Sequence, residues 1–344
     1  MTGSQMQTRK PTQRLARPAL GRPNPKTIQR AFEIWRETKA KECVAFFLEG
    51  LRTSKADTRV AAMYALSAVG PPTLELLIRA LREKAVQQPA LHLLSDLADP
   101  KAKPAIRKLL DQPDFTVRRL ASLTLARIEG HAAPEEAWGE REVSVERKIP
   151  SLTTIIHGTW AEDEDWWRWP SDFPRYIDSI AGDFYKGPNA FSWSGANTPE
   201  GREEGAMDLI RWLKTHPAER VTLIAHSHGG NVVFKASELA APSGIHISKL
   251  ILLGTPIRDD YGPNLTAISM VHNIYSEDDP VQLLGTWTPD LEHHIRGDGR
   301  TLPDGSQVQN RRVRTRTDNP HSELHTVELW RRERLGDTLK TPVV

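Results

Sequence analysis

The chain has 344 residues, with 46 Lys and Arg against 44 Asp and Glu, and 38% of its side chains are hydrophobic. That length and apolar content suit a packed protein of two domains, and a net charge of +2 excludes a global field directed at nucleic acid or an anionic membrane. The single cysteine, Cys43, excludes an intrachain disulfide and fits a cytoplasmic setting; no apolar run reaches bilayer length, and no apolar core follows the basic N-terminus as in a signal peptide.

Residues 1–26 carry Arg9, Lys10, Arg14, Arg17 and Arg22 among Pro11, Pro18, Pro23 and Pro25, and read as a disordered basic tail. Residues 27–130 are helical in pattern and repetitive. The stretches 60–70, 89–99 and 119–129 align, with Ala62, Leu91 and Ala121, then Val69, Ala98 and Ile128, at equivalent inward positions. Partner helices are predicted at Leu74–Leu81 and Ala105–Leu110, an earlier one at Ile28–Phe47, and breakers fall at Pro71-Pro72, Pro100 and Pro113. Helix pairs repeating at about 30 residues imply a short α-solenoid, and the segment resembles bacterial HEAT-like repeats. It holds no catalytic cluster of its own, so its expected role is to receive a protein partner. Residues 131–150 lose the apolar period and read as a linker, so the remainder is expected to be separable near residue 145.

Residues 151–344 alternate short apolar strands with helices. Strands are predicted at Leu152–Ile156, Asn189–Trp193, Val221–Ala225, Leu250–Leu253 and Val271–Tyr275. Helices are predicted at Asp172–Ile180, Glu200–Lys214, Gly229–Leu239 and Thr326–Arg334. Continuously apolar strands joined by helices predict an α/β domain with a doubly wound, mainly parallel sheet covered on both faces. Thr301–Val308, built around Pro303-Asp304-Gly305, reads as a hairpin.

Reactive residues gather just past the strand ends, where such sheets bind ligands. After the third apolar strand comes Ala225-His226-Ser227-His228-Gly229. Small residues on both sides of Ser227 allow a sharp strand-to-helix turn that presents its hydroxyl. His157-Gly158-Thr159-Trp160 follows the first strand, Asp278-Asp279-Pro280-Val281 follows the last, and His321 precedes the final helix. These motifs and their order resemble the α/β-hydrolases, of the lipase and esterase kind, with Ala225 in place of the first glycine of the elbow. Leu253-Gly254-Thr255-Pro256 is similar to lipase-type members.

The resemblance implies a Ser227–His321–Asp279 triad, with the backbone N–H groups of Thr159 (or Trp160) and His228 as oxyanion donors. Asp278 and His325 are the alternatives for acid and base, with Asp259 and Asp260 as more distant candidates for the acid. His157 is expected to hold its loop by hydrogen bonds. Trp160, Trp166 and Trp193 either line an acyl pocket or pack the loop onto the sheet. The implied function is hydrolysis of carboxylic esters with no cofactor and no metal. An acyltransferase or thioesterase would use the same residues, and an inactive scaffold would need none of them.

Overall fold

The structure, a computed structural model, describes residues 20–130, 148–288 and 293–340. The tail expected at 1–26 and the linker expected at 131–150 therefore lie largely outside the described residues. The end of that tail is already structured. Helix α1 (Pro25–Thr38) starts at an Asn24 capping box closed by Thr27, with Pro25 in its first turn, where a missing N–H costs nothing.

The predicted helix Ile28–Phe47 is two helices. Lys39 takes a left-handed φ of +53° and ends α1, and α2 (Lys41–Leu51) begins anew. Then follow α3 (Ala56–Val69), α4 (Leu74–Ala80), α5 (Gln87–Leu97), α6 (Lys103–Arg107) and α7 (Phe115–Ile128). Helix α5 packs between α3 and α7, and α4 and α6 lie against α5 and α7 respectively. Helix α3 is apolar or small nearly all round, with every residue from Ala61 to Val69 buried. A helix of that kind has neighbours on more than one side. On one side it meets α1, α2 and α5; on the other it meets two short helices of the C-terminal part, α11 (Pro280–Leu284) and α12 (Pro320–Glu323). The helical core accordingly runs without a break into Trp160, Val281, Leu284 and Trp287.

The C-terminal part is an α/β unit on a five-stranded parallel sheet. Its strands are β1 (Ile149–Ile156), β2 (Ala218–His226), β3 (Ile247–Leu253), β4 (Ile268–Tyr275) and β5 (Val308–Arg312), and they lie side by side in that order. Register aligns Ile155 with Ile224 and Ile224 with Ile251. These residues face Phe173 and Ile177 of α8 (Asp172–Ala181) and Leu329 and Trp330 of α13 (Val327–Arg332). Their chain neighbours Ile156, Ala225 and Leu252 face the opposite way, toward α9 (Pro199–Thr215) and α10 (Gly229–Ala240). The period-two alternation thus buries both faces of the sheet. A last short helix, α14 (Asp337–Lys340), packs on α8.

Two local expectations change. Asn189–Trp193 forms no strand, because its polar groups are taken by side chains and loops: Trp193 N–H donates to the His157 ring, and Asn189 C=O accepts from Trp212. Beyond β1 the parallel pairing partner is Phe184, bonded around Thr153. The chain therefore steps outward from β1 and returns across it to β2, which makes the carboxyl end of β1 a topological switch point. The turn at Pro303-Asp304-Gly305 does not close a free hairpin. Gly305 bridges Val308, and the chain then enters β5 as an edge strand parallel to β4.

Candidate active site

At the switch point, β2 ends at His226 and α10 begins at Gly229, leaving Ser227 and His228 to make the turn. Ser227 takes φ +53°, a left-handed conformation uncommon for a residue with a Cβ. Its N–H is fixed to Leu253 C=O at 2.9 Å, and its C=O accepts from Gly230 N–H at 3.0 Å. Gly158, after β1, lies against it so closely that a Cβ there would come within 2.8 Å of Ser227 Cβ. Glycine at 158 therefore lets the loop after β1 reach the elbow.

His157 holds that loop. Its Nδ1–H donates to Gly158 C=O at 2.9 Å, while Nε2 meets Ser192 Oγ at 3.0 Å and the N–H of Trp193 at 3.3 Å. Burial pushes its imidazole down to about 3, so it stays neutral. Trp160 N–H is occupied by Gly195 C=O at 2.8 Å. By contrast, among the described residues the N–H groups of Thr159 and His228 make no backbone hydrogen bond, so both are left as donors.

Asp279 and His321 come together from separate loops. Asp279 is fully buried, and its Oδ1 accepts from the N–H groups of Val281 and Gln282 at the start of α11. Its Oδ2 lies 2.6 Å from His321 Nδ1. Gly254, at φ +59° just past β3, leaves room for that pair: a Cβ there would sit 3.1 Å from His321 Nδ1 and 3.2 Å from Asp279 Oδ2. Burial pulls the His321 pKa down, but the Asp279 carboxylate with its hydrogen bond, and then Asp57, outweigh it, so the pKa lies above the ordinary imidazole value. Just ahead of His321, Pro320 opens the single turn α12, a first-turn position that proline tolerates.

The alternatives are occupied elsewhere. Asp278 is exposed and pairs with Lys26 at 3.0 Å. Asp260 is held by two nitrogens of Arg258, and Asp259 contacts His294. Among the described residues, Asp259, Asp260 and His294 are one group whose ligand atoms converge, within 4.8 Å, but Asp259 and Asp260 are exposed and Asp260 already has its cation. His325 stacks on Trp166 at 3.8 Å, and burial holds its imidazole down at about 3. His226 and His228 part from the elbow in different directions. His226 donates from Nε2 to His321 C=O at 3.3 Å, and the His228 ring bonds Asn231 at 2.9 Å. Of the tryptophans, Trp193 is fully buried and bonded to His157 C=O, Trp166 is half-buried beside His226 and His325, and Trp160 packs on Tyr64 and donates to Asp96.

Two residues at the site come from the helical segment. The Tyr64 hydroxyl lies 3.5 Å from Ser227 Oγ, and the carboxylate of Asp57 accepts from the His321 N–H at 2.7 Å. No local motif marks either one. The available signal was the all-round apolar character of α3, which calls for a second surface to bury it. Beneath that helix Ser227 and His321 are each only 3% exposed.

Among the described residues, no single helix is long and apolar enough to cross a membrane. No family model and no curated protein matches the chain. Among solved structures it is similar to 2,6-dihydroxy-pseudo-oxynicotine hydrolase, at 13% identity and a TM-score of 0.33 over 87% of this chain and 95% of that one. It is also similar to an uncharacterized protein from Bacillus cereus ATCC 10987, at 12% identity and a TM-score of 0.24 over 76% and 82% of the two chains.

Proposed function

We propose that the chain is a serine hydrolase of the α/β-hydrolase type that cleaves carboxylic esters through Ser227, His321 and Asp279. The observation that carries this reading is the buried 2.6 Å bond between His321 Nδ1 and Asp279 Oδ2, with the His321 ring packed on His226, the residue before a serine held at positive φ on a strand-to-helix turn. With Nδ1 committed to the carboxylate, the imidazole presents Nε2 as its basic nitrogen. Ser227 Oγ attacks the ester carbonyl while its proton passes to His321. The carbonyl oxygen, now an oxyanion, accepts from the N–H groups of Thr159 and His228. The imidazolium returns its proton to the departing alkoxide, leaving an acyl-enzyme. Water, deprotonated by the same histidine, releases the acid and regenerates Ser227. Asp279 fixes the tautomer and stabilises the imidazolium without itself taking the proton. The helical segment is read as HEAT-like on the side-by-side packing of α3, α5 and α7.

The test is labelling of the full chain with a fluorophosphonate probe, mass mapping of the adduct, and turnover of p-nitrophenyl acetate. Adduct on Ser227, with Ser227→Ala folded and slower by more than about a hundredfold in kcat, is the expected result. A folded Ser227→Ala that keeps turnover rules the nucleophile out.

A further inference from the structure

The histidine assigned above as base is held from a segment remote in the chain. His321 lies in α12, whose N-cap residue Asn319 makes no capping bond with its side chain. Such a turn leaves its first N–H groups without intrahelical partners. Asp57, in the first turn of α3, supplies the missing acceptors. Its Oδ2 accepts from His321 N–H at 2.7 Å, its Oδ1 from Ser322 N–H at 3.1 Å, and Oδ1 also takes the Ser322 hydroxyl. Asp57 is fully buried, and the cationic group it faces is His321 when protonated. A buried carboxylate is costly without donors, and here all of those donors belong to the turn that carries the imidazole.

We infer that Asp57 is a positioning residue for His321: it caps the turn that carries the imidazole bonded to Asp279, and so makes α3 part of the catalytic machinery. The inference rests on the serine hydrolase reading. Asp57 acts through the backbone of α12, which fixes where the ring starts, and through its charge, which favours the imidazolium formed during reaction. The other groups facing His321 are Asp279 from the loop after β4, Arg300, His226 at the end of β2, His228 and His325. Asp279 is the only other carboxylate among them, so loss of Asp57 removes one of two negative neighbours.

The experiment uses full-length Asp57→Asn and Asp57→Ala, each checked for a cooperative thermal melt. Two readouts are followed against pH: the rate of fluorophosphonate labelling at Ser227, and the downfield NMR signal of the His321 Nδ1 proton shared with Asp279. Asn keeps one acceptor oxygen and the shape but not the charge. It is expected to slow labelling by roughly tenfold and to move the acid limb and the proton's titration to lower pH, while Ala slows labelling by roughly a hundredfold. A folded Asp57→Asn with the wild-type rate and wild-type titration overturns the inference. Should Ala fail to fold, the isosteric Asn variant decides alone. Labelling of Ser227 in the wild type and its loss in His321→Ala uphold the base whatever the Asp57 variants do. Absence of labelling at Ser227 in the wild type removes the base, and this role with it.

Discussion

Tyr64 and Ser227 meet hydroxyl to hydroxyl at 3.5 Å across 163 positions of sequence, and both are buried. The ring is braced by Trp160 at 4.9 Å and by His228 at 5.7 Å, so the hydroxyl is aimed by packing on two sides. Burial raises its pKa, which the bond to Ser227 only partly offsets, and the group stays a neutral phenol able to donate. Tyr64→Phe keeps the ring and removes that donor. Its expected effect is a fall in kcat of about tenfold, with KM and melting temperature nearly unchanged. Steady-state kinetics on p-nitrophenyl acetate check this; an unchanged kcat means that the hydroxyl only fills space.

The two histidines near the C-terminus are expected to behave differently. His321→Ala should lower kcat by roughly a thousandfold or more. His325→Ala, which removes a ring stacked on Trp166, should cost less than about tenfold at the chemical step. A general base must be neutral in the free enzyme, and the His321 pKa is raised. The acid limb of kcat/KM should therefore fall away through a midpoint above the ordinary value of about 6.5. Profiles of wild type and His325→Ala, fitted from pH 5 to 9, test both statements.

Glu162 sits where the loop after β1 meets the helical segment, buried, with Oε1 3.6 Å from His92 Nδ1. Burial, the largest influence, pushes its carboxyl up to about 8 from an ordinary 4.5. Between those two values the folded chain keeps a proton that the unfolded chain has lost. Stability attributable to this group therefore falls as pH rises through that window and levels off above it. Glu162→Gln carries no such charge. Its stability should exceed that of the wild type by a margin that grows from pH 5 to pH 8, on the order of a few kcal/mol at the upper end, and its melting temperature should rise with it. Scanning fluorimetry across that range gives the answer; a margin independent of pH refutes the buried-proton account.

Much of the α/β unit was legible because its strands are buried on both faces and therefore apolar throughout, as in Leu250 to Leu253. The elbow, Asp279 and His321 were legible because a tight turn and a strand end impose local residue choices. β5 was not: Val308-Gln309-Asn310-Arg311-Arg312 is an edge strand, half-buried, and needs no apolar run. Asn189–Trp193 misled in the other direction, since its aromatic residues are buried by loop packing and not by a sheet. Asp57 and Tyr64 were beyond any local pattern, because their partners lie far along the chain. The expectation of a unit separable near residue 145 meets the same fact. Trp160, Val281, Leu284 and Trp287 share one apolar core with α1 to α7 and would be bared by such a cut.

The shared face of α3 also bears on how the protein comes to be made. Translation delivers Asp57 and Tyr64 first, Ser227 later, then Asp279, and His321 last. A nascent chain halted before residue 320 would carry Ser227 without His321. Its α3 would lack α12, and Asp57 would stand without the donors that satisfy it. Such a product exposes apolar surface of the kind that chaperones and proteases recognise. Burial of the Asp57 carboxylate and the placing of His321 are thus coupled, and both wait until residues 57 and 321 are present together.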